Sequence, residues 1–110
     1  MARITDKIYN DLLPKIENWK QLYPEVIMIK LSQDEFDGIF RVPTLEDIKL
    51  ANSVQNDIDK NRQLVLSCLL YPEPEVFEQL LQKRAGIITP IATKLIEACG
   101  VTQEATVKKL

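Results

Sequence analysis

The sequence predicts an α+β fold, mostly helical, with an N-terminal helix and β-hairpin followed by a cluster of about four α-helices. Three observations carry that expectation. Apolar residues recur at helical spacing through the first two dozen positions. Two runs rich in β-branched residues, EVIMIKL and GIFRV, flank the turn-forming stretch SQDEFDG. Beyond residue 43, Pro, Gly, Thr and acidic residues fall where helices start and stop.

Taken in order, Thr5 is placed to cap a first helix along which Ile8, Leu12, Ile16, Trp19 and Tyr23 form one apolar stripe. Pro14 removes the bond to the Asn10 carbonyl, which predicts a kink or two short helices, and Pro24 closes the segment. In the hairpin, Gly38 after Asp37 is expected to take the positive φ of a tight turn or bulge. Two strands alone are marginal, so the hairpin must lean on helices or on another copy of itself. FRVPTLEDIKLA, residues 40–51, reads as a strand-to-helix junction. Phe40 and Val42 alternate around Arg41, Pro43 stops the strand, and Thr44 with Asp47 makes a helix N-cap.

Asn56 or Asp57 caps the next helix, which is expected to run to about Leu70 through the apolar LVLSCLL. Pro72 and Pro74 break it. In the helix that follows, Glu73, Glu75 and Glu78 at the start and Lys83 and Arg84 at the end match the helix dipole. Val76, Phe77, Leu80 and Leu81 form its inward face, and Gly86 is its expected left-handed cap. In the last helix Thr89 caps, Pro90 starts, Ile91, Leu95, Ile96 and Cys99 pack, and Gly100 stops. Residues 1–100 are expected to form one compact domain and 101–110 a flexible C-terminal tail.

The totals bound the function. A chain of 110 residues, 45% hydrophobic and 27% charged, has the size of one domain that can bury a core without staples. Fourteen basic residues against 16 acidic ones, net -2 and without a block of like charge, disfavour nucleic acid and membrane as partners. The longest apolar stretch, Leu64 to Tyr71, is far short of the roughly 20 residues that span a bilayer. The N-terminus has no continuous apolar region of the kind a secretory signal needs, so the chain is read as soluble and cytosolic.

Histidine is absent, which excludes a Cys–His pair, a Ser-His-Asp triad and any histidine metal site. Cys68 and Cys99 fall on apolar helical faces and are expected as reduced thiols; two cysteines cannot complete a zinc site. Asp34, Glu35 and Asp37 lack the spacing of a calcium loop, and Glu46 and Asp47 are neighbours that do not face each other on a helix. The three glycines stand singly, so no phosphate loop exists. No catalytic residue, cofactor or metal is therefore predicted. The helix pair joined by RAGIIT invites comparison with a DNA reader, but its second helix offers only Lys94 beside Ile91, Ala92 and Thr93.

Two stretches together resemble the tail assembly chaperones of long-tailed bacteriophages. The first is the junction, carried by Phe40, Arg41, Pro43, Thr44, Glu46 and Ala51. The second is LVLSCLLYPEPEVFEQLL, carried by Leu66, Cys68, Leu70, Pro72, Phe77 and Leu80. The likeness spans roughly residues 25–100, and it departs from the family at Val42, where members often have a basic residue before the proline. The resemblance implies a non-enzymatic factor of the host cytoplasm that coats the tape measure protein and brings tail tube subunits to it. Such proteins are usually absent from the finished virion. Partner-binding candidates are Trp19, Tyr23, Phe40, Arg41, Pro43 and Phe77, with Trp19, Tyr23 and Phe77 expected as exposed aromatics. The hairpin's open edges also allow a homo-oligomer. The rival readings are a small structural phage tail or neck component and a small DNA-binding regulator built on the last two helices.

Overall fold

The computed structural model describes residues 3–100 and 105–110. It is an α+β fold in which helices dominate and a small antiparallel sheet lies between two helical layers. Helix α1 (Asp6–Leu22) leads into strands β1 (Val26–Leu31) and β2 (Phe36–Arg41). Helices α2 (Leu45–Asn52) and α3 (Asp57–Cys68), strand β3 (Leu69–Tyr71), and helices α4 (Pro74–Lys83) and α5 (Ile88–Ala98) follow, with one 3-10 turn at Ala85–Ile87. Strand order is β1-β2-β3.

Local chemistry explains most boundaries. The Thr5 hydroxyl accepts from the Ile8 amide at the start of α1, and the Asn56 side chain accepts from the Ile58 and Asp59 amides at the start of α3. Thr44 and Asp47 form a complete capping box on α2. Pro74 occupies the first turn of α4 as expected, and Gly100 takes a left-handed conformation, φ 88°, beyond α5.

The hairpin pairs Val26 with Arg41 through Leu31 with Phe36. Its left-handed residue is Glu35, φ 48°, whereas Gly38 lies inside β2 with no positive φ. The glycine is needed there for a different reason. A Cβ at position 38 would lie 2.7 Å from the Phe40 ring and 2.8 Å from the Phe36 ring, so its absence lets both rings close over the strand.

Four further expectations are corrected. The helix through LVLSCLL stops at Cys68, and Leu69–Tyr71 instead forms β3, because the free edge of β2 offers unpaired backbone groups at Ile39 and Phe40. Of the two outcomes expected at Pro14, division into two short helices does not occur: Asp6–Leu22 is one helix in which Pro14 faces solvent, while Leu12 and Ile16 on either side are buried. Gly86 is not a left-handed cap but part of the 3-10 turn. Thr89 is not a cap either: α5 begins at Ile88, and the Thr89 carbonyl accepts from the Thr93 hydroxyl within the helix. Of the expected tail, residues 101–104 lie outside the described residues, and 105–110 are exposed without helix or strand.

The pleat sorts side chains to two faces. Ile29, Phe36 and Phe40 join the larger apolar cluster with Val65, Cys68, Phe77, Leu80, Ile91 and Leu95 from the later helices. On the opposite face Ile39 meets Leu12 and Ile16 of α1, with Trp19, Val26, Met28 and Tyr71 packed alongside.

Candidate functional site

The junction residues assemble around Arg41, the last residue of β2. Its guanidinium donates to both oxygens of Asp47, at 2.5 Å from Nη1 to Oδ2 and 2.8 Å from Nη2 to Oδ1. Nη2 also donates to the Ser67 carbonyl at 2.8 Å, in the last turn of α3. The guanidinium carbon lies 5.6 Å from the centre of the Tyr23 ring, just past the end of α1. One side chain thus ties together β2, the start of α2, the end of α3 and the end of α1.

Local sequence sets this up. Pro43, which is buried, ends the strand, and Thr44 then turns the chain into α2. Asp47 in the first turn accepts from the Thr44 amide at 2.8 Å and the Thr44 hydroxyl at 3.0 Å. The same carboxylate therefore serves the capping box and the arginine. The Arg41 hydrogen bonds, opposed by burial and helped by Thr44, hold the Asp47 carboxyl well below the usual carboxylate range. The Asp47 bond in turn raises the already high pKa of Arg41. Cys68, beside this group, is fully buried, and desolvation pushes its thiol up to about 12 despite the nearby cation, so it stays protonated.

The six candidates named from sequence divide into three sets. Tyr23, Arg41 and Pro43 come together at the junction, half-buried or buried. Trp19 is half-buried and packs on the α1 side of the sheet. Phe40 and Phe77 are fully buried at 0% exposure, which corrects the expectation that Phe77 is an exposed aromatic. Its ring sits 5.8 Å from that of Phe36, centroid to centroid, in the larger core. Exposed apolar surface instead comes from Leu22, Leu45, Leu50 and Ile58, with Tyr9 and Leu13 less open, and from Val76, which corrects its expected place on the inward face of α4.

Sequence reasoning missed two polar links. The local sequence gives Asp47 a capping role, and nothing local signals that an arginine six positions earlier folds back onto it. Asp37, which the sequence places in the turn region without the spacing of a calcium loop, is 1% exposed and accepts from the Ile4 amide at 2.8 Å and from Arg3 at 3.3 Å. It anchors the segment before α1 to the hairpin. Among the described residues no group of three or more His, Cys, Asp or Glu is placed to hold a metal. No described helix is long and apolar enough to cross a membrane.

Neither a family model nor a curated protein matches this chain. Among solved structures, an uncharacterised protein from Bacillus stearothermophilus superposes with a TM-score of 0.69, covering 84% of this chain and 99% of that one at 24% identity. That likeness establishes the fold and says nothing of activity.

Proposed function

We propose that this chain is a non-enzymatic tail assembly chaperone of a long-tailed phage or prophage. It binds the tape measure protein in the host cytoplasm and helps recruit tail tube subunits. One observation carries the reading: the two stretches that resemble the family are a single physical unit. Arg41 of the first stretch donates to the carbonyl of Ser67, inside the second. Phe40 of the first and Cys68 and Phe77 of the second share the larger core. The resemblance therefore follows a structural module and not two scattered runs of letters.

The buried junction acts as scaffold on this reading, and contact with the partner falls to the exposed apolar side chains Leu45, Leu50 and Ile58 on α2 and α3. Such residues suit an amphipathic helical partner. Co-expression with a long helical tape measure protein tests the proposal. The expected result is a soluble complex and a several-fold gain in that protein's soluble fraction; an unchanged fraction with no complex defeats it. Mass spectrometry of purified particles separates a chaperone, absent from them, from a structural tail or neck component present in fixed number. A DNA-binding regulator would instead show salt-dependent binding to duplex DNA.

A further inference from the structure

We infer that the outer edge of β1 is a strand-addition site for an extended, acidic peptide segment of a partner protein. The inference is independent of the chaperone reading. β1 is an edge strand with β2 on one side only. The Val42 amide donates to the Glu25 carbonyl at 3.1 Å, so residues 25 and 42 form a hydrogen-bonded pair. With the observed register, alternation then directs the backbone groups of Ile27, Ile29 and Leu31 toward β2. The N–H and C=O groups of Val26, Met28 and Lys30 point outward, and among the described residues nothing pairs with them. That is a template for one more strand.

Grooves flank this edge on both faces. One of about 220 Å³ is lined by Tyr9, Ile16, Lys20, Val26, Met28 and Ile39, between α1 and the sheet. The other, about 390 Å³, runs along Ile27 to Lys30 with Lys94 of α5. An added strand would place alternate side chains in the two grooves, so it needs apolar residues spaced by two.

Charge selects the occupant. The two linings carry Lys20, Lys30 and Lys94 and no carboxylate. Lys94 is paired with Glu97 at 3.1 Å and Lys20 loosely with Glu17 at 4.0 Å, whereas exposed Lys30 makes no ion pair among the described residues, because Asp37 opposite it is engaged by Arg3 and the Ile4 amide. A second copy pairing through the same edge fits poorly. Matching all three outward-facing residues requires Met28 to face its own counterpart. That register brings another Lys30 opposite Val26, beside Lys20. An apolar strand with a carboxylate at the end beside Lys30 meets no such repulsion, and a neutral residue at its other end avoids exposed Glu25.

The test uses the whole protein and the peptide acetyl-Glu-Val-Thr-Ile-Thr-Val-Thr-amide. Amide exchange by NMR is expected to slow selectively at Val26, Met28 and Lys30 on addition of peptide. Affinity should fall with added salt and drop about threefold in Lys30→Gln, which removes the charge without setting a second carboxylate opposite Asp37. A version with every internal amide N-methylated, unchanged in side chains and charge, should not bind. Three results would each overturn the proposal: no protection with 1 mM peptide, equal binding of a version with Lys in place of the Glu, or a protein already dimeric through this edge.

Discussion

Two apolar clusters press on the same sheet from opposite faces, and they are unequal. On the side of α2–α5, Phe36, Phe40, Val65, Cys68, Phe77, Ile91 and Leu95 are all fully enclosed. On the α1 side only Leu12, Ile16 and Ile39 are buried, and the surrounding Ile8, Trp19, Val26 and Met28 stay half-open. The larger side draws on four helices, whereas the smaller depends on one helix held at its ends. Asp37 accepts from Ile4 before α1, and Arg41 stacks on Tyr23 after it. The difference teaches that cooperativity here should be uneven. A helix with few enclosed contacts opens more readily than the body it docks on, and α1 borders the open edge of β1.

The comparison can be pressed hardest at Phe77. Phe77→Ala empties space between several helices and is expected to cost about 4 kcal/mol, read as a lowered denaturation midpoint. Ile16→Ala should cost about 2–3 kcal/mol and should raise exchange in α1 well before that of α3 and α5. Equal acceleration in all helices would show that the two layers open as one.

Asp47→Asn tests the link between the layers. It weakens charge-assisted bonds and is expected to cost about 2 kcal/mol at neutral pH. The sign with pH follows from a carboxyl held below its ordinary value of 3.8. The unfolded chain takes up this proton first, so the stability is present above that value and is lost as pH falls below it toward the lower value of the folded carboxyl. The Asn variant should lack this part of the acid limb. Gly38→Ala is smaller still, about 1–2 kcal/mol from crowding of the Phe36 and Phe40 rings. Leu45→Ala, 68% exposed, should change stability by no more than about 0.5 kcal/mol; a larger loss would place Leu45 in a packed surface.

The legible parts of the molecule are those whose cause lies within a few residues. Thr5, Thr44, Asn56 and Pro74 begin their helices as their side chains dictate, and the β-branched runs around the SQDEFDG turn pair as a hairpin. At the candidate site, Thr44 and Asp47 were readable as a cap because a hydroxyl and a carboxylate three apart reach each other's backbone amides. The arginine clasp was not, because it depends on where α2 and α3 come to rest.

By itself, then, the sequence determined the mixed helical class, most element starts and the strand-to-helix turn at Pro43–Thr44. Those are short-range backbone preferences, settled by hydrogen bonds and φ limits inside each segment. Only the tertiary structure decided that Leu69–Tyr71 leaves a helix to become a strand, that Phe77 is enclosed, and that Arg41 joins four elements. Each answers a demand created elsewhere in the chain: an unpaired edge of β2, a cavity between helices, a cation and a carboxylate drawn together out of water.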